Sequence, residues 1–191
     1  MLFELRTYDL KPGKAPAYLE FFRTFGVRLV TRHLPMGGYW MVESGRLNRI
    51  EHLWIYEDFA DRDACRASLG GERAWIEDFI PKAFADVVVQ ENRLMSLEAT
   101  SDRFDAVIAA RKAVHDNQKE GSPMFADKLM GLAIYTSMPM DRGLATFRVL
   151  TGNAPGSFVS FSTGAFDDLM PDSVGLVQHE LLRPLTVSPL Q

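Results

Sequence analysis

Residues Ile50 to Glu57 alternate strictly, with Ile50, His52, Trp54 and Tyr56 on one parity and Glu51, Leu53, Ile55 and Glu57 on the other. Period-two alternation rich in aromatic and β-branched residues predicts a strand with two chemically distinct faces. Asp58 to Asp61 then sets acidic capping groups ahead of a helical segment. Upstream, Phe3, Leu5 and Thr7 alternate with Glu4, Arg6 and Tyr8, a second strand pattern closed by the turn Lys11-Pro12-Gly13-Lys14. Tyr18, Phe22, Phe25 and Leu29 recur at helical spacing with Pro16 in the first turn, predicting a helix that ends near Leu34-Pro35. A strand over Tyr39 to Glu43 and the polar loop Ser44 to Asn48 would form a hairpin with the strand from Arg49 to Glu57. The helix after Asp61 is broken at Gly70-Gly71 and resumes from Glu72 to Ile80; Val87-Val88-Val89 opens a fourth strand reaching about Leu97. The order over residues 1–97 is β-α-β-β-α-β, the ferredoxin-like unit.

The rest of the chain carries weaker patterns. Phe104, Val107, Ile108 and Val114 predict an amphipathic helix from Ser101 to Lys119. Strands are expected over Leu132 to Met138, Ala145 to Thr151 and Ser157 to Thr163, a helix over Asp167 to Leu182, and a short strand at Thr186-Val187-Ser188. The junction Ser160 to Asp168 echoes the one from Trp54 to Asp63, so residues 98–191 read as a diverged, rearranged second unit. The fold class is then α+β, two ferredoxin-like units in tandem.

Composition narrows the function classes. A net charge of -4 gives no concentrated basic field for nucleic acid. Cys65 is the single cysteine, so no intrachain disulfide is possible and a reducing compartment is favoured. The opening Met1-Leu2-Phe3-Glu4-Leu5-Arg6 has no secretion-signal character, and no stretch approaches the roughly 20 apolar residues of a membrane span. A cytoplasmic protein is the expectation. No Gly-x-Ser-x-Gly elbow, P-loop or Gly-x-Gly-x-x-Gly is present, and His33, His115 and His179 lack metal-site spacing. No metal and no cofactor are called for.

Several ordered motifs carry a resemblance. Glu4-Leu5-Arg6-Thr7-Tyr8 with Pro12-Gly13-Lys14, Gly38-Tyr39-Trp40, Glu43-Ser44-Gly45-Arg46-Leu47-Asn48 and His52-Leu53-Trp54-Ile55-Tyr56 resemble the NIPSNAP family. The likeness continues through Arg62-Asp63-Ala64, Trp75, Phe79-Ile80-Pro81-Lys82 and Gln90-Glu91, covering roughly residues 1–97. The second half has no Tyr-x-Leu-Arg-x-Tyr opening and no His-x-Trp strand. The resemblance implies a dimeric α/β-barrel with two ferredoxin-like sheets face to face, and a homodimer as the assembly. That architecture hosts cofactor-free oxygenases, isomerases, haem proteins and small-molecule binders, and fold alone does not choose among them.

If the aliphatic parity lies under the helices, Glu4, Arg6, Tyr8, His52, Trp54 and Tyr56 face the barrel interior, with Glu43 or Trp40 joining from the second strand. Aromatic walls with convergent polar groups describe a small-molecule cavity; a buried ion-paired layer is the competing account. His52, Tyr8 and Arg6 are the catalytic candidates: an imidazole that titrates near neutrality, a phenol donor, and a guanidinium fork for a carboxylate. Glu4, Trp54, Tyr56 and Glu43 are the ligand-lining candidates. Equally, His52 could be a core residue satisfied by Glu4, Glu43 or a carbonyl, and Arg6 could bridge Glu4 or Glu43. Arg62 and Arg66 flank Cys65 and could lower its pKa, the competing account being a thiol simply packed against the sheet. The expected function is binding or transforming a small aromatic or carbonyl compound, of oxygenase or isomerase type if enzymatic. The alternatives are a non-catalytic dimeric interaction module and a haem-binding barrel.

Overall fold

Eight antiparallel strands close into one barrel, in the order β1-β3-β2-β8-β5-β7-β6-β4 and back to β1. They are β1 (Leu2–Leu10), β2 (Met36–Val42), β3 (Arg49–Tyr56), β4 (Val87–Thr100), β5 (Met130–Tyr135), β6 (Ala145–Gly152), β7 (Phe158–Thr163) and β8 (Leu176–Pro184). The structure is a computed structural model and describes residues 1–171 and 173–191. All eight strands come from one chain, so the barrel closes without a second copy. The first four strands lie in the order β4-β1-β3-β2 and the last four in the order β8-β5-β7-β6. These are the same relative arrangement.

Helices accompany only the first four strands closely. Between β1 and β2 run α1 (Ala15–Phe21), a π-helical turn over Phe22–Gly26 and α2 (Val27–Thr31), where one continuous helix was expected. Between β3 and β4 run α3 (Phe59–Gly70), a second π-helical turn over Trp75–Phe79 and α4 (Ile80–Ala83). Asp58 caps α3 by accepting from the Asp61 amide, as the acidic junction predicts. The two π turns meet at Gly26, where a Cβ would stand 2.3 Å from the Phe79 ring, so only glycine allows this approach.

The second half departs further from expectation. The helix after β4 is α5 (Asp102–Ala110), and its predicted continuation to Lys119 is instead an extended strap along the first π-helical turn and α2. Asn117 Oδ1, Gln118 and the His115 amide bond along Arg28, Arg23 and Thr31, so these groups hold the strap where helical periodicity gave out. The helix expected over Asp167 to Leu182 is a 3₁₀ turn at Asp167–Leu169 followed by β8; Asp172, within that range, lies outside the described residues. Thr186 to Ser188 is a turn region, tied down by the Ser188 amide on the Leu185 carbonyl.

The barrel interior is a filled apolar core. Phe3, Leu5, Leu53, Ile55, Trp40 and Phe161 belong to one buried cluster drawn from all eight strands. Trp40 stacks on Phe161 at 5.2 Å from the opposite sheet, and Phe104 of α5 enters the same cluster against Phe147 at 5.5 Å. This reverses the face assignment made from sequence. The aliphatic parity of β1 and β3 lies inside the barrel; Tyr8, Trp54 and Tyr56 pack with Tyr18, Phe22 and Phe79 under the helices. The reason lies in the other half. Leu132, Phe147, Val159 and Phe161 need an apolar partner, no α-helix runs between β5 and β8 among the described residues, and the aliphatic faces of β1 and β3 supply it together with Phe104 of α5.

One end of the interior is polar. Continuing the parity of Phe3 and Leu5, Thr7 and Asp9 meet Arg49, Glu51 and, from β8, Glu180. Arg49 bonds Asp9 at 2.8 Å and Glu180 at 3.3 Å, and Thr7 Oγ1 donates to Glu51 at 2.8 Å. Burial, with repulsion from Glu180, pushes the Glu51 carboxyl up to about 8 despite Thr7, Arg49 and Arg93. Glu51 is therefore largely protonated at neutral pH.

Candidate functional site

His52 sits centrally in β3, with Arg6 of β1 and Tyr39 of β2 as its cross-strand partners. Its side chain is 3% exposed. The Tyr39 ring stacks on it at 4.8 Å, and Tyr8 meets it edge-on at 4.7 Å. Trp54, two residues along the same face, donates its indole N–H to His52 Nδ1 at 2.6 Å. An indole nitrogen only donates, so Nδ1 carries no proton and the proton of the neutral ring is on Nε2. Burial, reinforced by Arg6 and Arg66, holds the His52 pKa well below its ordinary value. His52 is thus a neutral ring whose Nε2–H has no partner among the described residues.

The expected partners of His52 were Glu4, Glu43 or a carbonyl; the partner is Trp54. Glu4 is occupied elsewhere. Fully buried, it accepts from Arg62 at 3.0 Å twice, Arg66 at 2.9 Å, Arg6 at 3.1 Å and Asn92 at 2.8 Å. Burial alone would raise its pKa, but the guanidiniums and the amide outweigh that and hold it far below the usual carboxylate range. Of the two bridges open to Arg6, the one to Glu4 forms, and its remaining donors go to Tyr8 at 3.3 Å and Gln90 at 3.3 Å. Tyr56 is buried, with its hydroxyl unpartnered among the described residues and its pKa raised by burial. Glu43 lies apart from the cavity wall and pairs with Arg183 at 2.9 Å.

A cavity of about 40 Å³ opens between the helices and this face of the sheet. Arg6, Tyr8, His52 and Trp54 line it, so four of the residues singled out from sequence converge, outside the barrel rather than within it. Sequence reasoning missed the wall opposite: Tyr18 and Phe22 from the first helical run, Arg66 and Leu69 from α3, and Trp75 from the second π turn. Phe22 stacks on Tyr39 at 4.0 Å, and the Tyr18 and Tyr39 hydroxyls bond at 3.0 Å. A signal for Arg66 existed, since Arg62 and Arg66 are one helical turn apart and both face Glu4. Their expected effect on Cys65 is not what occurs. Burial and Asp61, whose carboxylate lies 3.7 Å from the thiol, raise its pKa instead.

Chemically, the cavity wall offers donors. Glu4 is the carboxylate behind it and is locked by guanidiniums, His52 Nδ1 is occupied, and His52 Nε2 bears a proton. The arrangement can polarise an oxygen and favour its anionic form; it holds no free base among the lining residues.

The sequence profile of the NIPSNAP family matches residues 3–102, just over half of the 191 residues. The chain belongs to the NIPSNAP family. The resemblance read from the β1 and β3 motifs is therefore correct, and every cavity-lining residue lies within the matched segment. Mouse protein NipSnap homolog 3B is 44% identical over 90 residues, which are 47% of this chain and 36% of that protein. The chain thus matches only about a third of that relative's length. A solved NIPSNAP family protein of unknown function from Agrobacterium tumefaciens is 36% identical with a TM-score of 0.51, covering 53% of this chain and 92% of that one. An anthrone oxidase-like protein aligns over 100% of this chain and 94% of its own with a TM-score of 0.56 at 10% identity, a likeness of fold alone. Among the described residues no helix is long and apolar enough to cross a membrane.

Proposed function

We propose that this NIPSNAP protein binds a compact carbonyl compound in the cavity between helices and sheet, and acts on it by polarising the carbonyl oxygen. The observation that carries this is the buried His52 Nε2–H, fixed as a donor by Trp54 and left unpartnered at an aromatic wall. Buried polar groups are normally satisfied, and an unsatisfied one at a cavity invites an acceptor. The volume supports a carbonyl over an aromatic ligand. An apolar cavity of about 150 Å³ accommodates benzene, whereas this one measures about 40 Å³. A fused-ring ketone such as an anthrone does not fit without displacing the wall, and neither does a haem. The neutral, donor-only His52 suits an electrophilic role, as a neutral imidazole polarises a carbonyl in other enzymes.

Residues 98–191 fit this reading as a diverged ferredoxin-like unit that has shed its helices and serves to close the barrel. The filled interior favours a second account, a non-catalytic interaction module in which the barrel is purely structural. Nitrogen-resolved NMR of the His52 ring separates the two. Titration with acetone and with pyruvate should shift the Nε2–H resonance saturably in wild type and leave the folded His52→Gln variant without a comparable binding isotherm. A flat titration with both compounds refutes the carbonyl reading and leaves the module.

A further inference from the structure

The charges around the cavity are unbalanced. Arg6, Arg62 and Arg66 all bond the single carboxylate of Glu4. Three cations against one anion leave a surplus of two positive charges, reduced among the described residues by Asp63, whose exposed carboxylate lies 3.5 Å from Arg62. Among the described lining residues the charged ones are Arg6 and Arg66, both cationic. They differ in what they have left to give. Arg6 spends Nε on Tyr8, Nη1 on Glu4 and Nη2 on Gln90. Arg66 uses Nη2 on Glu4, and its buried Nε has no partner among the described residues. Two unpartnered donors among the described residues, Arg66 Nε–H and His52 Nε2–H, therefore belong to side chains that line one small cavity.

Resting on the carbonyl reading above, we propose that the ligand is a compact 2-oxo acid, its carboxylate on Arg66 and its oxo oxygen on His52. A guanidinium edge matches a carboxylate, and a neutral imidazole N–H matches a ketone oxygen. Adjacent carboxylate and oxo groups are the smallest arrangement that satisfies both. A water needs about 10–15 Å³ of such space, so about 40 Å³ holds a molecule of a few heavy atoms. Arg6, already bonded to Tyr8, Glu4 and Gln90, contributes field rather than contact. The surplus charge would be neutralised by the bound carboxylate, which also explains how three arginines are accommodated around one glutamate.

The test compares pyruvate, acetate and acetone on the full chain by the same His52 Nε2–H titration, at low and high salt. Pyruvate should bind at least about tenfold tighter than acetone, with the preference shrinking as salt rises. Arg66→Gln should weaken pyruvate binding at least about tenfold more than acetone binding, and Arg66→Lys should restore part of the difference. Melting curves establish that each variant is folded, and the lysine variant carries the comparison if the glutamine variant is not. Acetone binding as tightly as pyruvate, or an undiminished preference in folded Arg66→Gln, overturns the 2-oxo acid while the carbonyl reading stands. Acetate binding as tightly as pyruvate also overturns it, because the oxo group then contributes nothing. Absence of binding by all three compounds overturns both.

Discussion

Trp54→Phe tests the hinge of this account, the donor that fixes the His52 tautomer. Trp54 is 2% exposed and its indole N–H lies 2.6 Å from His52 Nδ1. Phenylalanine keeps a six-membered ring but removes the N–H and part of the bicycle. A buried acceptor left unpaired costs about 1–3 kcal/mol, and the lost apolar contact adds about 1–2 kcal/mol. The expected loss is therefore about 2–5 kcal/mol in denaturant unfolding at neutral pH. The spectroscopic expectation is sharper. In wild type the ring nitrogens should report one tautomer, protonated at Nε2, with no imidazolium appearing as pH falls through the ordinary histidine range. In Trp54→Phe, Nδ1 is released and the second tautomer should appear. Protonated Nδ1 in wild type at neutral pH would refute the electrophilic role of His52. So would an imidazolium near pH 6, or a variant that loses under about 1 kcal/mol with its tautomer unchanged.

Other perturbations probe the surroundings. Glu4→Gln removes the shared counter-charge of three guanidiniums at once and should cost about 3–5 kcal/mol by calorimetry or denaturant melts; a loss below about 1 kcal/mol would show the cluster to be loosely held. Glu51 has its folded pKa raised from 4.5 to about 8, so its neutral form is the stabilising one. The unfolded state loses that proton first, and stability from this group is full below about 4.5 and declines as pH rises toward about 8. Glu51→Gln should remove that decline, visible as a variant-minus-wild-type difference growing across the same window. His52 has the opposite sign: its folded pKa is depressed, so its contribution is full above 6.5 and is lost as pH falls below it. His52→Gln should flatten that acid-side slope. Gly26→Ala places a methyl 2.3 Å from the Phe79 ring and should destabilise by about 1–3 kcal/mol in thermal or denaturant melts; an unchanged midpoint would mean the π turns yield freely.

Sequence alone determined the local grammar of the first half. Alternation in Phe3 to Tyr8 and Ile50 to Tyr56, the Asp58 cap and the glycine turns each express a short-range preference, and each reappears as an element near its expected place. Four of the cavity residues, Arg6, Tyr8, His52 and Trp54, were legible for the same reason: two-residue alternation puts alternate side chains on one face whatever that face meets. What the face meets is a long-range matter. Both faces of β1 and β3 are buried, so burial could not distinguish barrel from helix cover, and the choice fell to strands more than 70 residues away whose aliphatic sides needed covering. Tyr39 was hidden by a register shift between Met36 and Gly38, which changes which residues of β2 oppose His52. The tautomer of His52, the cage around Glu4 and the free edge of Arg66 are contacts between elements distant in the chain or fixed by side-chain direction, and no local pattern encodes them. The helical periodicity expected after α5 and near Asp167 failed for the corresponding reason. There the tertiary structure supplies strap contacts along the first π-helical turn and α2 and barrel pairing for β8, and these outweigh a weak local preference.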